Sequence, residues 1–119
     1  MRARADRRCV GGRALLTRLP NGTELTEWHP VRDAAGRWRF PHMLGERVLA
    51  SCDYVYNFVL AERHPTVLVG GVACAALAHG LELPVVAHPY WGTEAVLRDL
   101  ATRPGWEAGR VVVPAKQMA

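Results

Sequence analysis

The sequence has no apolar run long enough to cross a membrane. Its longest, Val67 to Leu77, is interrupted by Gly70 and Gly71 and falls far short of the roughly 18 residues a spanning helix needs. No apolar core follows the charged start Met1-Arg2-Ala3-Arg4-Ala5-Asp6-Arg7-Arg8, so a signal peptide is not indicated. A membrane protein and a classically secreted one are both disfavoured. Cysteine is scarce: Cys9, Cys52 and Cys74 are widely spaced, odd in number and include no CxxC pair. That pattern argues against a disulfide framework and a paired zinc site, and it fits a reducing cytoplasm. Internal repeats, low-complexity tracts and an interdomain linker are also lacking.

What is present is the material of one globular domain: 119 residues, 50% hydrophobic and 22% charged,. The charge is uneven. Residues 1–18 hold six arginines against Asp6, a balance of +5, so the remainder contributes −1 to the total of +4. Residues 1–10 therefore read as a basic, solvated arm, 11–113 as the domain and 114–119 as a tail. Such an arm can bind phosphates non-specifically. Nucleic acid is disfavoured as a partner, because no basic stripe with interleaved aromatics follows the arm.

Turn signals recur at short intervals and cut the chain into β-leaning runs. Arg13–Leu19 and Thr23–Thr26 flank Pro20-Asn21-Gly22, a hairpin signal, because Asn-Gly readily takes the positive φ of a tight turn. Arg37–Phe40 alternates charge and aromatic as a half-buried strand does. Val55–Leu60, Thr66–Val69 and Val72–Leu77 complete the strand set. A single helix is expected near 93–102: Thr93 can cap it, Val96, Leu97, Leu100 and Ala101 form its apolar stripe, and Arg103-Pro104-Gly105 stops it. The fold class is mainly β with one short, late helix. Trp28, Trp38, Trp91 and Trp106 read as core or rim packing rather than a ligand-stacking box.

Chemistry is suggested first by Thr26-Glu27-Trp28-His29-Pro30. A hydroxyl and an imidazole three apart at a strand end can converge on one amide and polarise or protonate it. The second segment is Val55-Tyr56-Asn57-Phe58-Val59-Leu60, then His64, then Thr66 to Val72. The two together resemble the TxxH block and the C-terminal strand pair of the Hint (hedgehog/intein) family of self-processing domains. The likeness is greatest to its Vint branch, found in proteins with a von Willebrand A domain. It is carried further by Trp28 to Arg32, Gly36 to Pro41, Gly71 to Cys74, Leu77 to Gly80, His88 to Thr93 and Pro104 to Gly109, an ordered set from about Gly11 to Val113.

This resemblance implies a β horseshoe of two pseudo-symmetric halves and an autocatalytic N-to-S acyl shift. A cysteine at the domain's first position attacks the preceding carbonyl while the block Thr and His assist the leaving amide. By position, Thr26 and His29 are that pair. His64 resembles the later-block histidine, and Asn57 stands where inteins often carry Asp. Gly70 replaces the Asn usual at the following turn. Cys9 lies only 17 residues before Thr26, where the resemblance places a later strand, so the nucleophile and first strands are expected upstream of Met1. Ala75-Ala76 stands where inteins carry His-Asn, and without that carboxamide full splicing is excluded. The expectation is thus the C-terminal portion of an autoprocessing domain, inactive in this form and left with an uncovered apolar face. Its partners would be protein, either its own upstream segment or a von Willebrand A-type region, with a ubiquitin-pathway context implied by the resemblance alone.

The alternative is a non-catalytic β-rich interaction module, and a basic-tailed nucleic-acid binder ranks third. No cofactor or metal is implied. The loose set Cys74, His79 and His88, with Cys52 or His64 as a fourth, lacks the tight pairs that zinc prefers.

Overall fold

A computed structural model describes residues 2–60 and 64–114. Ten strands and one helix are present among them: β1 Ala3–Arg8, β2 Arg13–Arg18, β3 Glu24–Leu25, β4 Val31–Arg32, β5 Trp38–Arg39, β6 Glu46–Ser51, β7 Tyr54–Val59, β8 Thr66–Val69, β9 Val72–Ala75, α1 Glu94–Ala101 and β10 Arg110–Val113. They form three sheets, ordered β10-β1-β7, β3-β2-β6 and β5-β4-β9-β8. The protein is mainly β, as its punctuation suggests.

The expected arm at residues 1–10 is corrected by the fold. Ala3–Arg8 is the central strand of the first sheet, parallel to β10 and antiparallel to β7. Its alternation explains why. Ala3 and Ala5 are buried against Val59, Val111 and Val113, and the small methyl groups let Val96 and Leu100 of α1 pack onto the same face. Arg4, Asp6 and Arg8 point to the other face. There Asp6, fully buried, accepts from Arg4 at 2.6 and 2.9 Å and from Arg110 at 2.6 Å. The basic residues also find aromatic partners that the linear sequence conceals. Arg4 lies over Tyr56 at 4.6 Å, Arg8 and Arg110 over Tyr54 at 5.4 and 5.3 Å, and Arg2 over Trp106 at 4.1 Å, which are cation–π distances. Arg4 and Arg110 share Asp6, so much of this charge is compensated within the sheet.

The hairpin forms where expected: β2 pairs with β3, and Gly22 takes φ +90° in the turn between them. The strands Thr66–Val69 and Val72–Ala75 pair with each other, whereas β7 pairs with β1 rather than with β8. β9 ends at Ala75, two residues short of the expected Leu77. Residues 61–63 and the tail residues 115–119 lie outside the described residues. α1 is capped as expected, the Thr93 hydroxyl oxygen accepting the Ala95 amide at 3.3 Å. Of the tryptophans, Trp38 is in a small core with Ala75 and Val86, and Trp91 and Trp106 pack on the main core. Trp28 instead stays 65% exposed. Leu15 and Leu49, paired across β2 and β6, are 52% and 61% exposed, a small apolar stripe open to solvent.

Candidate functional site

Thr26 and His29 are brought together by a single turn. The His29 amide donates to the Thr26 carbonyl oxygen at 3.2 Å, so the spacing of three residues closes a β-turn at the end of the hairpin. The chain then enters β4, and the Ala75 amide donates to the Pro30 carbonyl oxygen at 2.9 Å. This places the end of β9 against the histidine. The His29 Nε2–H donates to the Ala75 carbonyl oxygen at 2.8 Å. A carbonyl can only accept, so the neutral ring carries its proton on Nε2 and keeps its lone pair on Nδ1. Burial pushes the imidazole below its ordinary 6.5, the bond to Ala75 offsets part of that, and His79 nearby adds to the depression. His29 is therefore neutral at physiological pH, with Nδ1 as the atom that can take up or return a proton.

These residues open onto a cleft of about 520 Å³. It is lined by Thr26, Trp28, His29 and Phe40, by Arg7 of β1 and Asn57 of β7, and by Ala75 to Leu77. Three of the four site residues expected from the sequence, Thr26, His29 and Asn57, thus line one cavity. His64 does not join them. It is exposed at the start of the segment leading into β8 and lies outside the cavity lining.

The histidines that do reach the cleft are His79 and His88, and both hold turns. His79 Nδ1 accepts the Leu81 amide at 2.9 Å, and His88 Nδ1 accepts the amides of Tyr90 and Trp91, each at 3.0 Å. Burial lowers the His79 pKa from 6.5, a bond to the Val86 backbone works against this, and His88 lowers it further. Gly92 passes so close to the His79 ring that an added Cβ would lie 2.8 Å from it. Both segments of the 79–92 loop are therefore packed on that imidazole. Val85, also on the cavity wall, sits at φ +75°, an outlying conformation for a β-branched residue.

No cysteine lines the cavity among the described residues. Cys74 is buried in β9 with its thiol toward the Val72 carbonyl oxygen at 3.5 Å. Cys9 and Cys52 lie together elsewhere. No cluster of three or more potential metal ligands occurs among the described residues. Sequence reasoning missed Arg7 as a cleft residue because charge was weighed before alternation.

A family model described as Vint, a Hint-domain, matches residues 8–118. The chain belongs to the Vint family of Hint domains. No curated protein matches it. This Vint domain carries the Thr26–His29 turn on the wall of its cleft. The match begins at Arg8, the last residue of β1, and covers β2 through β10.

Proposed function

We propose that this chain is the C-terminal part of a Hint-type autoprocessing domain, supplying the groups that assist an N-to-S acyl shift but not the attacking thiol. The observation that carries the reading is the Thr26–His29 turn, with the His29 ring fixed by Ala75 on the wall of an open cleft that no cysteine among the described residues lines. The step itself balances simply. A thiol loses its proton to a base and its sulfur bonds the scissile carbonyl carbon. The C–N bond breaks, and the freed nitrogen takes a proton, leaving a thioester and an amine. His29, neutral and with Nδ1 available, is suited to carry that proton from sulfur to nitrogen. The Thr26 hydroxyl is suited to polarise the carbonyl or hold the distorted amide, and Asn57 can only donate or accept hydrogen bonds. On this reading the chain alone is inactive, and its partner is the protein segment that carries the cysteine.

The test is the intact mass of the native product in its own cell, beside a His29→Ala variant and a Trp38→Ala control. The proposal expects a larger precursor and a product whose new N-terminus is a cysteine. His29→Ala should abolish processing while the fold survives, whereas Trp38→Ala should cost about 3–5 kcal/mol of stability. A native mass near 13.1 kDa with no His29-dependent product would overturn it. The second reading, a non-catalytic interaction module of a larger von Willebrand A-containing protein, would then stand. Its support is the exposed Trp28, which contacts Phe40 and His42 at ring separations of 5.0 and 4.5 Å beside the cleft.

A further inference from the structure

The chain crosses between the first and second sheets twice, and the two crossings run side by side. Residues 9–12 lead from β1 to β2, and Cys52-Asp53 lead from β6 back to β7. Their backbones are tied together: the Cys9 amide donates to the Asp53 carbonyl oxygen at 2.9 Å, and the Cys52 amide to the Gly12 carbonyl oxygen at 2.8 Å. At this point the two Sγ atoms lie 3.3 Å apart. The Cys52 thiol also donates to the Tyr54 carbonyl oxygen at 3.0 Å, which holds its side chain in place. Both residues are half-buried, within reach of a small reagent, while Cys74 is buried. Neither lines the catalytic cleft.

We propose that Cys9 and Cys52 form a reversible internal disulfide with a small-molecule disulfide such as oxidised glutathione. The pairing is local, because the fixed backbones already face each other and only a side-chain adjustment is needed to bond the sulfurs. One thiolate attacks a glutathione sulfur, forming a mixed disulfide and expelling one glutathione thiolate. The second protein thiolate then attacks the protein sulfur of that mixed disulfide and expels the other glutathione. Two electrons pass to the glutathione disulfide, and the two protein thiol protons go to the released thiols. Burial, then the Cys52 thiol beside it, pushes the Cys9 thiol up to about 11. Such a sulfur is a poor leaving group, so attack that must expel Cys9 is slow once the bond exists. The bond would close the loop from residue 9 to residue 52 and lock both crossings, so that the two sheets could not separate without breaking it.

The experiment uses the full chain in graded mixtures of reduced and oxidised glutathione, followed by alkylation of remaining thiols under denaturing conditions. Intact mass and a non-reducing peptide map are then read. The expected result is the loss of two hydrogens, one alkylated thiol at Cys74 and a linked peptide pair containing Cys9 and Cys52. The oxidised form should unfold roughly 10 °C above the reduced form. Cys52→Ser should abolish the linked peptide and the gain in melting temperature, and Cys74→Ala should leave both intact. Three alkylated thiols in the wild type, glutathione adducts without an internal bond, or a linkage through Cys74 would each overturn the proposal. If Cys52→Ser does not fold, the wild-type peptide map still decides.

Discussion

Acidification through the histidine range should destabilise this protein, and the size of the effect follows from two rings. His29 and His79 are both held below their ordinary 6.5, in each case chiefly by burial. The folded state therefore binds protons less readily than the unfolded chain. Above 6.5 neither state is charged at these sites and nothing is lost. As the pH falls below 6.5 the unfolded chain is protonated first, and stability declines toward the lower folded values. One pH unit below the unfolded pKa, a fully excluded proton costs about 1.4 kcal/mol. That figure is the ceiling for each ring, and His79, more open to water, stays further below it than His29 because of screening. A loss of at most about 2.8 kcal/mol is therefore expected between about pH 7.5 and about pH 5.5. Asp33 and Asp99 are pushed below their ordinary 3.8, Asp33 by backbone amides from Arg37 and Ala35, Asp99 by the Tyr90 hydroxyl. Their contributions are lost only at still lower pH, which leaves this window to the histidines. Urea unfolding followed by tryptophan fluorescence at both pH values measures the loss, and His29→Gln should reduce it. Stability that is flat or rises on acidification would refute the reasoning, as would a slope unchanged in His29→Gln.

The remaining predictions concern the frame around the cleft. Asp6→Asn removes the charge shared by Arg4 and Arg110 inside the first sheet. It should cost about 2–4 kcal/mol in urea unfolding, below the full penalty for a buried pair because both arginines reach solvent; a loss under about 0.5 kcal/mol would make the cluster incidental. Gly105 turns at φ +92°, and an added Cβ would overlap the Arg110 carbonyl oxygen. Gly105→Ala should therefore lower stability by more than about 2 kcal/mol, and a melting temperature equal to wild type would contradict the turn geometry. Replacing Leu15 and Leu49 together by Thr should reduce concentration-dependent association in light scattering, because these two side chains form an open apolar stripe; unchanged association would place the sticky surface elsewhere.

Elements with local causes were legible in the sequence, and elements made by distant pairing were not. The hairpin is written in Asn21-Gly22, and the helix in Thr93 at one end and Pro104-Gly105 at the other. By contrast, β1 and β10 form a parallel ladder between residues more than a hundred apart, Arg4 opposite Arg110. Nothing local marks the partner of such a strand, although the alternation Arg-Ala-Arg-Ala-Asp could have shown that residues 2–6 are a strand rather than an arm. The site divides in the same way. Thr26 and His29 are neighbours through one turn, so their spacing carried the information. Asn57 enters the cleft from a strand whose pairing with Ala5 was invisible. His79 and His88 could be seen as turn residues, but the backbone amides held by their Nδ1 atoms appear only once the loop is closed.

The end of β9 bears most directly on which chemistry the cleft can retain. Ala75 and Ala76 occupy the positions where the resemblance places His-Asn, and both line the cavity beside His29. A methyl side chain there cannot attack the backbone, so cyclisation at this position is closed by the lack of a carboxamide side chain. The backbone at the same position still works: the Ala75 carbonyl orients the His29 ring and fixes its tautomer, a task that needs no particular side chain. Loss of the cyclising step is therefore compatible with an intact assisting step. On the proposed reading, the protein keeps the proton carrier of the first reaction on a scaffold from which the second has been removed. Restoring Asn at position 76 alone would not bring cyclisation back, because Ala75 supplies no imidazole to protonate the leaving group. Testing Ala76→Asn in a processing-competent precursor checks this, with processing that stops at the acyl-shift products as the expected outcome. Release of a C-terminal fragment would show that another group, such as His79 in the cleft lining, takes over that proton.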